Sequence, residues 1–81
     1  MQVWRGDTEI RLTKKEYDLL LLFVQNPGRA LYRDTIYDHV WGGEYRFGSK
    51  TVDLHVQRLR RKVGWEDCLI AVNKVGYRLE V

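Results

Sequence analysis

Apolar and polar positions alternate at the start of the chain. Val3-Trp4 precede a turn signal at Gly6-Asp7, and Glu9-Ile10-Arg11-Leu12 follow it, a period of two that predicts two short strands. Thr13-Lys14-Lys15-Glu16 then matches the capping box, in which the Thr hydroxyl accepts a first-turn N–H and the Glu reaches back to the cap. A helix therefore starts at Lys14. It carries Tyr17, Leu19, Leu20, Leu21, Leu22, Phe23 and Val24, apolar nearly all round, which predicts a central buried helix. Asn26-Pro27-Gly28 ends it, because proline cannot continue the hydrogen-bond ladder. Arg29-Ala30-Leu31 reads as a single strand, and a second helix runs over residues 33–41 with Ile36, Tyr37 and Val40 on one face, stopped by Gly42-Gly43.

The third helix, residues 50–63, has the narrowest stripe. At about 100° per residue, Val52, Val56, Leu59 and Val63 fall within about 60° of one another and must face the core. Lys50, Thr51, Leu54, Gln57, Arg58, Arg61 and Lys62 occupy the opposite side. Asp53 and Arg60 lie on one flank and His55 on the other. Gly64 reads as a C-cap. Two apolar runs, 69–72 and 77–81, flank Asn73-Lys74-Val75-Gly76 and predict a hairpin. Two adjacent helices, the second cationic, followed by a closing hairpin describe one α+β domain over residues 1–81. Its fold is a winged helix-turn-helix: three helices, a short N-terminal β-sheet and a C-terminal hairpin wing.

Charge sharpens this picture. The 81 residues carry 14 Lys+Arg and 11 Asp+Glu, a formal +3. Residues 50–62 hold five cations against Asp53, a local +4, and the other 68 residues hold nine basic and ten acidic side chains, a net −1. The whole positive excess therefore sits on one helix. Composition also narrows the function class. A chain this short builds one modest core and has little room for a deep enclosed active site. Its longest apolar run, residues 19–24, is far short of the roughly 18 residues that span a bilayer, and Gln2, Val3, Trp4 and Arg5 after Met1 do not resemble a secretory leader. Cys68, the single cysteine, suits a reducing compartment, so a cytoplasmic location is expected. His39, His55 and Cys68 have no zinc-ligand spacing, and no phosphate loop or nucleophile elbow is present. Neither catalysis nor a metal or cofactor is expected.

The outward face of the third helix has the chemistry of major-groove recognition. Arg58 can fork onto guanine, Gln57 can pair with adenine, and Leu54 can touch a thymine methyl. Lys50, Thr51, Arg60, Arg61 and Lys62 are placed for phosphates, which fix register. Asn73 and Lys74 at the hairpin tip are available to the minor groove or backbone. Trp41 reads either as a core aromatic or as an indole N–H donor to phosphate, and His55 as a packing side chain or a phosphate contact. Asp53 would repel phosphate, so it is expected to orient an arginine of the helix or a nearby backbone group. The competing reading is a winged-helix protein-interaction module without DNA binding that uses Tyr45 and Phe47, both exposed-looking in the loop 43–49, together with Leu54.

Several blocks in order resemble a known family: Leu12-Thr13-x-x-Glu16-Tyr17-x-Leu19-Leu20, Asn26-Pro27-Gly28-Arg29, Val40-Trp41-Gly42, Thr51-Val52-Asp53-x-His55-Val56-x-Arg58-Leu59-Arg60-x-Lys62 and Val75-Gly76-Tyr77-Arg78-Leu79. The set is similar to the OmpR/PhoB-type effector domain of bacterial response regulators. The resemblance implies a transcription-factor domain that binds promoter DNA, usually head-to-tail on direct repeats. A receiver domain phosphorylated under a sensor histidine kinase controls it in that family. By position, the resemblance makes Leu54 and Arg58 base contacts, and Lys50, Thr51, His55, Gln57, Arg60 and Trp41 backbone contacts. The loop bearing Glu44, Tyr45, Arg46 and Phe47 corresponds to one that can touch RNA polymerase. Three features depart from the family. The wing has Asn73-Lys74 where an arginine is common, the connection after the third helix is short, and twelve residues before Thr13 allow two N-terminal strands rather than four. No receiver is present, so the chain is expected to be an excised C-terminal domain or to start natively at Met1.

Overall fold

The computed structural model describes residues 3–80. In chain order it contains β1 Val3–Arg5, β2 Thr8–Ile10, α1 Lys14–Gln25, β3 Leu31–Tyr32, α2 Arg33–Val40, α3 Thr51–Val63, β4 Leu69–Val72 and β5 Gly76–Leu79. Strands β1 and β2 form an antiparallel hairpin with Trp4 opposite Glu9. The second sheet is three-stranded in the order β3-β5-β4, all antiparallel, with Leu31 opposite Tyr77 and Leu69 opposite Leu79.

The start of α1 follows its sequence signal. Thr13 Oγ1 accepts from the Glu16 N–H at 3.2 Å, and Glu16 Oε1 accepts from the Thr13 N–H at 2.9 Å. The helix is less enclosed than its composition predicts. Leu19, Leu22 and Phe23 are buried, Leu20 and Leu21 are half-buried, and Val24 is 50% exposed, because α2, α3 and β5 cover only one side of the cylinder. Lys15 donates to the Val40 carbonyl at 2.9 Å and so ties α1 to the end of α2. Ile36 and Val40 from α2, Val52, Val56 and Leu59 from α3, and Leu31, Leu69, Tyr77 and Leu79 from the sheet complete the core. Burying an aliphatic side chain of this size contributes roughly 1.5–3 kcal/mol each.

Several boundaries differ from expectation: β2 lies at Thr8–Ile10 rather than 9–12, α3 begins at Thr51 with Lys50 as its N-cap, and β5 ends at Leu79, Val81 lying outside the described residues. The strand after α1 lies at Leu31–Tyr32, since pairing with β5 begins only at Leu31 and Arg29 and Ala30 are exposed. Helix α2 ends at Val40, with Trp41 as its C-cap. Gly76 is a strand residue rather than part of the hairpin turn: it pairs with Val72, and the Val75 N–H closes onto the Val72 carbonyl at 3.1 Å. Lys74 takes a left-handed φ of 62° there. Such a position costs a non-glycine residue roughly 1 kcal/mol or more.

Two glycines are demanded by the backbone. Gly64 ends α3 in the left-handed region, φ 73°, and its N–H reaches the Arg60 carbonyl. At Gly76 a Cβ would lie 2.1 Å from the Leu31 carbonyl oxygen and 3.1 Å from the Arg33 nitrogen. This is where β5 crosses closest to β3, and no side chain fits. Among the described residues no helix is long and apolar enough to cross a membrane.

Candidate nucleic-acid interface

Helix α3 has thirteen residues, about 20 Å of α-helix. Its inner stripe of Val52, Val56 and Leu59 is fully buried, with Val63 partly so. On the outer face Leu54 is 53% exposed, beside exposed Gln57, Arg58 and Arg61, with Lys50 exposed at the N-cap. Among the described residues the ion-paired cations are Lys14, Arg33, Lys62 and Arg78. Lys50, Arg58, Arg61 and Lys74 are therefore unneutralised by ion pairs within that set.

Lys62 is a correction to the helical-wheel reading. Its ammonium sits 2.7 Å from Glu16 Oε1 and 3.2 Å from the Arg11 carbonyl, folded onto α1 rather than presented outward. A buried carboxylate needs a cation, and Lys62 is the one at hand. Burial alone would raise the Glu16 pKa, but the Lys62 ammonium and the Thr13 hydrogen bonds outweigh it and hold the carboxyl below its ordinary value. Arg60 also bonds within the fold, to the segment that follows its helix. Its Nη2 donates to the Glu66 carbonyl at 3.3 Å, and its Nε is buried without a partner.

Asp53 makes different partnerships from those expected. It accepts from Arg33 Nε at 3.0 Å and from the Tyr77 hydroxyl at 2.5 Å. Neither partner is on its own helix: the carboxylate joins the start of α2, the first turn of α3 and strand β5. The Arg33 guanidinium also stands 5.2 Å from the Tyr77 ring centroid. Burial opposes the charge on Asp53, yet the Tyr77 and Arg33 hydrogen bonds and the nearby Arg33 and Lys50 cations keep its pKa below the ordinary value. Burial and that carboxylate together push the Tyr77 phenol up. The anion on α3 is thus neutralised within the fold. The sequence offered no local signal for Arg33 and Tyr77, which lie 20 and 24 residues away.

On the other flank the aromatics form a chain. Tyr45 leans on Tyr37 at 5.7 Å, Tyr37 stacks on Trp41 at 5.4 Å, and Trp41 meets the His55 ring edge-on at 4.8 Å. Tyr45 is half-buried by this contact, contrary to its exposed look in sequence, whereas Phe47 is fully exposed. His55 Nδ1 lies 2.9 Å from the Thr51 carbonyl. A carbonyl only accepts, so Nδ1 carries the hydrogen and Nε2 is left for an outside partner. Thr51 is partly buried, its hydroxyl 3.2 Å from that of Ser49. Between α3 and the wing runs an open groove lined by Tyr32, Arg33, Phe47, Lys50, Lys74 and Val75 among others. Exposed Asn73 and Lys74 stand at the wing tip, and exposed Glu44 and Arg46 flank Tyr45 in the loop.

Known proteins are similar to this chain in sequence and in fold. The sensory transduction protein RegX3 of Mycobacterium tuberculosis is 44% identical over 79 residues, covering 93% of this chain and 34% of its own length. The chain thus spans about a third of that relative. The crystal structure of the DNA-binding domain of Bacillus subtilis CssR superposes with a TM-score of 0.85 at 39% identity, covering 96% of this chain and 89% of that one. The response regulator AdeR DNA-binding domain, crystallised in complex with an intercistronic region, gives 0.84 at 30% identity, covering 98% and 84%. A family model described as "Transcriptional regulatory protein, C terminal" matches residues 7–79. The chain belongs to this family of C-terminal transcriptional regulatory domains, whose OmpR/PhoB-type winged helix it shares.

Proposed function

We propose that this chain is the DNA-binding output domain of a two-component response regulator, and that α3 reads duplex DNA in the major groove. One observation carries the assignment: Leu54 and Arg58 are exposed at the centre of a face whose cations Lys50, Arg58 and Arg61 have no ion partner among the described residues. An apolar side chain amid free cations matches a thymine methyl beside phosphates better than it matches water. Leu54 and Arg58 contact bases. Trp41, Lys50, Thr51, His55, Gln57, Arg60 and Arg61 contact the backbone, while Asn73 and Lys74 approach from the wing. Lys62 supports the fold through Glu16.

The finer partners follow from the family. The two-thirds of RegX3 outside the match leave room for a receiver domain answering to a sensor histidine kinase, and binding on direct repeats head-to-tail belongs to the same reading. So do a cytoplasmic location and a single domain over this chain. Full exposure of Phe47, between Arg46 and Gly48, supports the loop with Glu44 and Tyr45 as a contact for RNA polymerase.

Replacing Arg58 by Ala is expected to cost roughly 1–3 kcal/mol on the preferred site and to relax one base position. A titration that leaves the preference at every base unchanged overturns the base-contact role. Four cations on phosphate (Lys50, Arg60, Arg61 and Lys74) give a slope of log K against log salt of about −4. Absence of any duplex binding at micromolar protein and low salt would favour the protein-interaction module instead.

A further inference from the structure

Tyr32 breaks a local rule at an exposed place. It is the N-cap of α2, with φ −69° and ψ 149°, yet it makes no side-chain cap bond. Ser, Thr, Asp or Asn is favoured at this position because its side chain accepts from a first-turn N–H. The neighbouring strand residue Leu31 turns into the core, which sends Tyr32 to the opposite face, where it is 58% exposed. Its cross-strand partner is Gly76, which has no side chain to cover the ring. The phenol therefore lines the groove between α3 and the wing, with Lys50 on the helix side and Lys74 on the wing side. Two carboxylates share the groove: Asp53 is already neutralised by Arg33 and Tyr77, and Asp34 accepts from the Thr35 N–H at 2.8 Å.

A groove with free cations on both banks and a phenolic donor between them suits an anionic strand. We infer that Tyr32 is a further DNA contact: a phosphodiester strand of the duplex lies in this groove, and the Tyr32 hydroxyl donates to one of its phosphate oxygens between the phosphates held by Lys50 and Lys74. The inference rests on the duplex-binding reading and extends it to a residue outside α3 and the wing. Tyrosine hydroxyls are among the usual donors to phosphate oxygens, and a hydrogen bond to a charged acceptor is stronger than one between neutral groups. Natural proteins relax local rules at functional positions, which accounts for an aromatic N-cap here, with Asp34 and the Val75 carbonyl accepting from the Thr35 and Arg33 N–H groups in its stead.

The test compares wild type, Tyr32→Phe and Tyr32→Ser by titration of a selected site and an unrelated duplex across several salt concentrations, alongside thermal melts. Tyr32→Phe keeps the ring and removes only the donor. It is expected to weaken both duplexes alike by roughly 3–10-fold with an unchanged salt slope, because a neutral donor displaces no counterion, and with an unchanged melting temperature. Tyr32→Ser is expected to lose at least as much affinity with no fall in melting temperature, because serine is a favoured N-cap residue while Asp34 already accepts from the Thr35 N–H. Wild-type affinity for both duplexes in the Phe variant overturns the contact and leaves the function standing. So does a variant that keeps duplex affinity but loses binding to RNA polymerase, which would make the groove a protein dock. A wild-type chain that binds no duplex overturns both.

Discussion

The three helices among the described residues begin in two different ways. Helix α1 opens with a complete capping box: Thr13 and Glu16 exchange hydrogen bonds, and Glu16 is then buried against Lys62 from α3. Helices α2 and α3 open with Tyr32 and Lys50, and neither side chain caps its helix. Neighbouring groups take up part of each first turn instead: in α2 Asp34 Oδ1 accepts from the Thr35 N–H at 2.8 Å and the Val75 carbonyl from the Arg33 N–H at 3.3 Å, and in α3 the Ser49 hydroxyl accepts from the Thr51 N–H at 3.3 Å. Both uncapped starts lie on the groove beside the wing. A helix N-terminus carries a partial positive charge that attracts anions, and two starts without a capping side chain from the N-cap residue itself suit a surface that meets phosphate. Where the chain meets only itself, the local rules are obeyed. Where it faces a ligand, they are relaxed.

That contrast can be broken at several points, and the largest effect is expected at Gly76. The start of α2 depends on the frame of β3 and β5, and a Cβ at Gly76 would strike the Leu31 carbonyl next to Tyr32. Gly76→Ala is expected to cost about 3 kcal/mol or more, at the upper end for overpacking, seen as a large drop in the urea midpoint and a parallel loss of duplex affinity. An alanine variant as stable as wild type would mean that the wing and β3 can part easily.

The next two substitutions sharpen the contrast directly. Thr13→Ala removes the capping box and is expected to cost roughly 1–2 kcal/mol of stability, with duplex affinity of the folded protein unchanged. Lys50→Ala removes no cap bond, so its stability change should stay within about 0.5 kcal/mol. Its affinity should nevertheless fall on all sequences alike, with the salt slope shallower by about one. If Thr13→Ala instead impaired binding, or Lys50→Ala impaired folding, the division between the two kinds of helix start would be lost.

The smallest effect concerns acid. The folded-state pKa of Glu16 lies below its ordinary value of 4.5, so the unfolded chain takes up the proton more readily than the folded one. The stability that the Glu16–Lys62 pair contributes is complete above that ordinary value and is lost as pH falls through the folded pKa. Chemical denaturation between about pH 5 and pH 2 should show that loss, and Glu16→Gln should flatten the part due to this carboxyl. An unchanged acid profile in the variant would place the acid sensitivity elsewhere, with Asp53 the first alternative.

Much of this fold was legible in advance because its signals are local. The Thr13 box, the Pro27 stop, the Gly64 cap and the stripe through Val52, Val56 and Leu59 each depend on residues within about one or two helical turns. The same spacing put Leu54 and Arg58 on an exposed face. Periodicity failed where long-range packing decided the outcome. Lys62 looked outward on the wheel, but its flexible stem reaches Glu16, 46 residues away. Tyr45 looked exposed until Tyr37 came beside it. Val24 looked buried in a leucine-rich run because composition cannot tell which side of α1 its neighbours cover.

By itself, then, the sequence determined the helices, their caps, the inner stripe of α3 and the concentration of charge on the opposite side, because hydrophobic period and cap chemistry act over a few residues. Tertiary structure alone decided which cations remain free. Lys62 and Arg33 are spent on Glu16 and Asp53, while Lys50, Arg58, Arg61 and Lys74 remain unpaired among the described residues. Packing also brought Tyr32 between α3 and the wing. Burying a carboxylate demands the nearest cation in space, and nearness in space is set by how the helices and the sheet pack together, not by their order along the chain.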